Sequence, residues 1–147
     1  MLLSLAERWN SAYVIIERNN HGLTTLRRLQ ELQYVNLYIE SSVDNAYGDR
    51  LTKRGGFLTT SKTKPLIIDN LAALLRQNDS GIADTELVSE CRTYVIDDKG
   101  GTNAQSGCYD DRLMAYAIAL HGLTSLPRPR ERKVANRFSA FDPTVGY

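Results

Sequence analysis

The chain has 147 residues, of which 42% are hydrophobic and 24% are charged, and its formal net charge is +1. These values are typical of a globular domain and exclude the disordered and fibrous classes. Because the chain is nearly neutral, only local basic patches could attract nucleic acid. No apolar run approaches the roughly 18 residues of a membrane span, and the first residues lack the features of a signal peptide.

The cysteines and histidines argue against a zinc site or a disulfide framework. Cys91 and Cys108 are far apart and show no CxxC spacing, and neither His21 nor His121 has a thiolate neighbour in the sequence. This pattern predicts a reduced, intracellular protein in which both cysteines are buried as small hydrophobic residues.

Hydrophobic periodicity predicts alternating helices and strands. In the first half of the chain, the predicted elements are a helix at 2–10 with Trp9 and its leucines in the core, a buried strand at 13–16, a turn at 19–22, an amphipathic helix at 23–33 and a strand at 35–39. In the second half they are a hairpin arm at 41–56, a returning strand at 57–60, a helix at 65–77, a short helix capped by Asp84 or Thr85, a strand at 92–97, a loop to Gly107 and a helix at 109–120.

This alternation predicts an α/β fold with a mixed sheet flanked by helices and carrying a β-hairpin arm. Residues 1–126 are expected to form the domain, and residues 127–147 are expected to form a basic, mostly extended tail. An α/β domain more naturally starts with a strand than with a helix. The helix at 2–10 therefore suggests a domain that lacks its first strands.

Acidic residues stand at two places where α/β proteins carry ligand sites. Glu17 ends the strand predicted at 13–16, and ligand sites gather at the carboxyl ends of strands in open α/β sheets. Asp110 and Asp111 open the last helix, whose first amides favour carboxylates. Helix capping alone explains such an aspartate pair, and a glutamate at a strand end often faces water.

Together these acids favour a divalent-metal site. The last helix is almost entirely apolar after its acids, so it should pack on the sheet and hold its first residues near the strand ends. Carboxylates on rigid elements are suitable ligands for Mg²⁺ or Mn²⁺. Two such ions, roughly 3.5–4 Å apart, can bind both the attacking water and the leaving oxygen of a phosphodiester.

Three segments resemble motifs in the nuclease domain of phage terminase large subunits. Residues 14–22 (VIIERNNHG) resemble its second acidic motif, residues 56–67 (GFLTTSKTKPLI) resemble the segment that enters the next helix, and residues 107–119 (GCYDDRLMAYAIA) resemble its third acidic motif. The segments occur in the family's order, and the resemblance extends from about residue 5 to residue 121.

The resemblance implies an RNase H-like fold and a nuclease that cuts concatemeric viral DNA during packaging. It also implies that Glu17, Asp110 and Asp111 are catalytic metal ligands for Mg²⁺ or Mn²⁺. The implied partners are double-stranded DNA, the terminase ATPase domain, the small terminase subunit and the portal protein. The implied location is the host cytoplasm, with a viral or prophage origin and no membrane association.

The chain departs from the family at the first acidic corner. The family's first catalytic aspartate lies on a strand ahead of the helix that matches residues 2–10, and we expect that strand to be missing from this chain. Asp44 and Asp49 in the arm and Asp69 within a helix are poor substitutes by position. With one corner missing, the second metal ion should bind weakly, so we expect a weak or inactive nuclease from this chain alone.

Basic and polar residues near the predicted acids are candidates for DNA contact or for orienting groups. The candidates for phosphate contact are Arg50, Lys53, Arg54, Lys62 and Lys64. The alternative is a solubilising charged surface that also protects an edge strand. His21 and Asn20, in the turn after Glu17, could orient a metal-bound water, or could only bond within the turn.

Two other functions compete with a terminase nuclease. A truncated domain could be a non-catalytic module that binds DNA or a packaging partner. Another RNase H-like nuclease, such as a resolvase, is the third alternative. The third acidic segment and the Lys62-Thr63-Lys64-Pro65 segment favour the terminase over the resolvase.

Overall fold

The computed structural model describes residues 1–19, 21–44, 50–96 and 100–126, and for residues 42–44 and 50–52 it describes the backbone only. Predictions that concern Asn20, the arm tip at 45–49 and the tail at 127–147 lie outside the described residues. In chain order the elements are α1 (Leu2–Arg8), α2 (Gly22–Glu31), β1 (Ile39–Asp44), β2 (Arg50–Gly55), α3 (Thr63–Arg76), α4 (Thr85–Arg92), β3 (Tyr94–Ile96), β4 (Thr102–Ala104) and α5 (Asp111–Leu123).

The extended segment at 13–17 organises the first half of the domain. Val14 bridges Leu37 in parallel, and Glu17 bridges Phe57 in parallel. The backbone hydrogen bonds of both bridges lie on the same edge of this segment. They are made by residues 14, 16 and 18, and every second residue of an extended chain directs its backbone N–H and C=O groups to the same edge. Residues 36–38 and 57 therefore continue one another along this edge, and the segment at 13–17 with these bridged residues is called the sheet.

The hairpin of β1 and β2 leaves the sheet between these two pairings. The two strands pair antiparallel from Ile39 opposite Gly55 to Asp44 opposite Arg50. The amide of Gly56 donates to the carbonyl of Tyr38 at 2.9 Å, which closes the base of the hairpin. The hairpin arm predicted at 41–56 is confirmed.

The other edge of the segment at 13–17 is open near its beginning. Within the described ranges, the backbone groups of Tyr13 and Ile15 make no backbone hydrogen bond. Both residues lie beside α5 instead, where they line an apolar groove together with Leu120 and Leu123. An open edge of this kind can accept a further strand.

The main core lies between the sheet and the second half of the chain. Ile67 and Leu71 are one helical turn apart on α3, and Leu113 and Ala117 are one turn apart on α5, so each helix buries one face. The buried cluster is Tyr38, Phe57, Ile67, Leu71, Leu87, Leu113, Ala117 and Ile118. This core holds α5 against the sheet and thereby sets where its first residues lie.

The mixed α/β class is confirmed, with five helices and two small antiparallel sheets among the described residues. The predicted helices at the positions of α1 to α5 are all present, and Asp84 caps α4 as predicted, with its Oδ1 accepting from the amide of Glu86 at 2.9 Å. No helix in the described ranges is long and apolar enough to cross a bilayer.

Several predictions about individual residues are wrong. Trp9 is 71% exposed and Leu5 is 50% exposed, because the seven-residue α1 buries only Ala6. Residues 102–104 form β4, paired antiparallel with β3, where a loop was predicted. The sequence did not suggest a strand there because Thr-Asn-Ala has no apolar alternation.

The prediction that both cysteines are buried is also wrong. Cys108 is exposed, and Cys91 is half-buried in α4. Burial, and to a lesser extent the neighbouring Glu90 carboxylate, raise the pKa of the Cys91 thiol, which keeps it in its unreactive protonated form at neutral pH.

Gly22 is the tightest backbone contact between α2 and the segment that ends at Glu17. A Cβ atom at Gly22 would overlap the carbonyl oxygen of Glu17.

We expect Gly22→Ala to lower the free energy of unfolding by about 2–3 kcal/mol, because backbone must move to make room. Gly107→Ala is the matched control, since Gly107 has φ +83° but open space around it, and strain alone should cost about 1 kcal/mol. Equal losses in chemical denaturation of the two variants would contradict this packing.

Candidate functional site

The three predicted acids converge on one cleft. Glu17 and the aspartates 110 and 111 line an open cleft of about 350 Å³ between the sheet and α5. Thr59 and Lys64 complete its polar wall. Ile15, Met114, Ala115 and Ile118 form its apolar side.

The carboxylate of Glu17 is oriented by its neighbour Asn19. The Glu17 backbone pairs with Phe57, which fixes the end of the segment at 13–17 against the sheet. The Asn19 Nδ2 donates to Glu17 Oε1 at 3.2 Å and to the Thr59 carbonyl at 3.3 Å. Asn19 therefore ties the glutamate to the returning chain. Asn19 was predicted only as part of the turn, and the sequence signal for this further role is no more than an amide two residues after an acid.

Asp110 is the N-cap of α5 but makes no side-chain capping hydrogen bond. An N-cap aspartate usually accepts from the second or third amide of its helix. Here the amide of Leu113, the third residue of α5, donates to Glu90 Oε2 of α4 at 2.9 Å. Glu90 thus caps this amide from outside the helix, and the Asp110 carboxylate, which makes no capping bond, lies on the cleft side.

The junction of α4 and α5 holds this arrangement in place. Arg112 forms ion pairs with Asp84 at 3.4 Å, with Glu90 at 3.9 Å and with Glu86. The Arg112 side chain is 53% exposed, so solvent screens these pairs and each contributes little. The hydrogen bond from Leu113 is better protected, because the Glu90 side chain is only 15% exposed.

Lys64 is the cation of the cleft. Its Nζ lies 3.7 Å from Asp110 Oδ2, donates to Asn103 Oδ1 at 3.0 Å, and sits 5.7 Å from the centre of the Tyr94 ring. Its side chain is 23% exposed. α3 supplies Lys64, and the β3–β4 hairpin supplies its other two partners. The cleft therefore holds positive and negative groups in contact.

The oxygen atoms that line the cleft are of the chemical type that hard divalent cations bind. Carboxylate oxygens are the preferred ligands of Mg²⁺ and Mn²⁺. Among the described residues, the buried Thr59 Oγ1 has no hydrogen-bond partner. Within the described ranges, however, no three His, Cys, Asp or Glu side chains are close enough together to enclose an ion. The cleft thus has oxygen atoms of a suitable type, but among the described residues they do not surround a single ion position.

Of the two predicted orienting residues, His21 does not line the cleft, and Asn20 lies outside the described residues. His21 is exposed at the N-cap of α2 and makes no side-chain capping hydrogen bond. Arg18 pairs with Glu40 at 2.8 Å, which links the end of the central segment to β1. His121 packs on Phe57 and Tyr38 in the core, with ring centres 5.2 Å and 6.5 Å away.

Of the basic residues predicted to bind DNA, those with described side chains do not all line the cleft. Lys64 lines the cleft, whereas Lys62 is exposed two residues earlier in the chain and does not line it. Lys53 lines a different groove beside the end of α2, and Arg54 is exposed on β2. The side chain of Arg50 lies outside the described part of the chain.

Comparison with known proteins adds no relative: no protein-family model matches the chain, and neither a curated protein nor a solved structure is similar to it at a significant level.

The capping arrangement predicts stability effects of different size for the two N-cap aspartates. We expect Asp84→Ala to cost about 1 kcal/mol of unfolding free energy, because it removes a real capping bond. Asp110→Ala should change it by less than about 0.5 kcal/mol, since no capping bond is lost. Glu90→Ala should cost about 1–3 kcal/mol, because it leaves the Leu113 amide without its acceptor. Urea denaturation measures all three, and a larger loss in Asp110→Ala than in Asp84→Ala would contradict the assignment of Glu90 as the cap.

Proposed function

We propose that the chain is the metal-dependent DNA endonuclease part of a viral genome-packaging terminase, with an RNase H-like fold and a two-metal site. The observation that supports this proposal is the convergence of Glu17 with Asp110 and Asp111, about 93 residues later in the chain, on one cleft. The order of the motifs and their resemblance to terminase nucleases support the family. The capping of the Leu113 amide by Glu90 supports a chemical role for Asp110, because the Asp110 carboxylate makes no capping bond of its own.

In this proposal each acid has a definite task. Glu17, oriented by Asn19, would hold a cation from the sheet side, and Asp110 with Asp111 would hold it from the helix side. When bound, Mg²⁺ or Mn²⁺ would polarise a phosphodiester and lower the pKa of the attacking water. The positive end of α5 lies beside the same aspartates and favours negative charge there, including a phosphate oxygen.

The cleft also gives a reason to expect weak activity from this chain alone. Its carboxylates come from two elements, and no closed set of three ligands is present among the described residues. Two dications at short range repel each other strongly unless carboxylates bridge them. We therefore expect one cation to bind measurably, the second to bind poorly, and cleavage to be slow or absent.

The runner-up is a non-catalytic module that binds DNA or a packaging partner. The open arrangement of acids and the presence of a lysine beside Asp110 favour it over a complete enzyme. Double-stranded DNA is the proposed partner in both cases. The ATPase domain, the small subunit and the portal protein are proposed on the resemblance alone, as is a place in the host cytoplasm.

Calorimetric titration with Mn²⁺ tests the proposal. We expect weak binding by the 147-residue chain, and a loss of more than about tenfold in affinity for Glu17→Gln and for Asp110→Asn, since even residues outside the ligand shell change affinity by that much. Asp69→Asn is the control, because Asp69 is exposed on α3 and does not line the cleft.

Plasmid nicking in Mn²⁺ separates the two candidates. Slow cleavage that disappears in Glu17→Gln would favour the nuclease, and metal binding without cleavage would favour the non-catalytic module. Mn²⁺ affinity that is the same in the wild type, Glu17→Gln and Asp110→Asn would contradict a metal site in the cleft. Fast Glu17-dependent cleavage would show that a third acidic corner is not required.

A further inference from the structure

Lys64 has surroundings that distinguish it from an ordinary surface lysine. Three groups surround its ammonium: the Asp110 carboxylate, the Asn103 side-chain oxygen and the face of the Tyr94 ring. The 3.7 Å separation from Asp110 Oδ2 is an ion pair but is too long for a hydrogen bond. Asn103 and Tyr94 thus hold the ammonium against the cleft wall even if Asp110 takes another partner.

We propose that Lys64 is a built-in counter-cation that competes with a divalent metal ion for Asp110. This inference rests on the function proposed above, because it assumes that the cleft binds a cation. Among the described residues that line the cleft, Lys64 is the only basic one. Its charge therefore offsets part of the negative charge that Glu17 and the two aspartates bring together.

The geometry indicates that Lys64 lowers the affinity of the cleft for a metal ion. The Lys64 Nζ lies 3.7 Å from Asp110 Oδ2, so a dication that binds the same carboxylate would be repelled by the ammonium. The lysine lowers the metal affinity of the empty cleft and stabilises the acids while no metal is present. A merely structural lysine would have the opposite effect, because its removal would disorder Asp110 and weaken metal binding.

The same geometry suggests what Lys64 does once Asp110 holds a metal ion. Its ammonium remains near the cleft through Asn103 and Tyr94 and has lost its negative partner. A phosphate oxygen of DNA in the cleft is the anion that can replace Asp110. Lys64 would then pair with a DNA phosphate in place of the Asp110 carboxylate, so that bound metal raises the affinity for DNA and bound DNA raises the affinity for metal.

The test compares Mn²⁺ affinity by calorimetry in the wild type, Lys64→Gln and Lys64→Arg, using the full chain. We expect Lys64→Gln to bind Mn²⁺ about three- to tenfold more tightly than the wild type, as the loss of a half-buried charge predicts. Lys64→Arg keeps the charge and should bind like the wild type. Lys62→Gln removes an equal charge from an exposed position outside the cleft and should change the affinity by less than about twofold.

The possible outcomes separate this inference from the function it rests on. If Lys64→Gln binds Mn²⁺ more tightly than the wild type, and if this gain in affinity is absent when Asp110→Asn is also present, the role of Lys64 and the metal site are both supported. Unchanged or weaker binding in Lys64→Gln, with wild-type binding that depends on Asp110, overturns the role of Lys64 and leaves the metal site standing. No Mn²⁺ binding by either protein overturns both. Circular dichroism verifies folding, and Lys64→Met replaces the Gln variant if that variant is unfolded.

Discussion

The hydrogen bond from the Leu113 amide to the Glu90 carboxylate is the interaction on which the site depends. A helix that begins at a sheet edge leaves its first amides without partners, and a nearby acid normally satisfies them. In this protein the acid comes from α4, and the carboxylate of Asp110 makes no capping bond but lines the cleft beside Lys64. The apolar face of α5, packed on α3 and the sheet, then fixes how far those carboxylates stand from Glu17.

The elements with strong local signals were predictable from the sequence. The leucine spacing of α2 and α3 and the Asp84 cap are local patterns, and the structure confirms them. Trp9 and β4 were not predictable in this way. Trp9 is exposed because α1 is short and buries only one residue, and β4 exists because it pairs with β3 rather than because of its own side chains. Both outcomes depend on tertiary context, which overrides local propensity.

The identity of the site residues was easier to predict than their partners. Glu17, Asp110 and Asp111 stand at element ends, where acids attract attention, and the fold brings them together. Asn19, Glu90 and the surroundings of Lys64 could not be inferred, because each acts across a long sequence separation. The predicted DNA contacts of the basic residues stay a prediction; closeness in sequence did not bring Lys53 and Lys62 into the lining of the cleft, which Lys64 alone of these three joins.

The central claim is that these acids form one cation site, and paramagnetic broadening by Mn²⁺ tests it most directly. Substoichiometric Mn²⁺ added to the ¹⁵N-labelled chain should selectively broaden the amide signals around Glu17, Thr59 and the start of α5, because broadening falls steeply with distance from the bound ion. Signals around the exposed Asp69 should remain sharp. Equal broadening around Asp69 and around the cleft would mean that Mn²⁺ samples surface acids without preference, which would contradict the account.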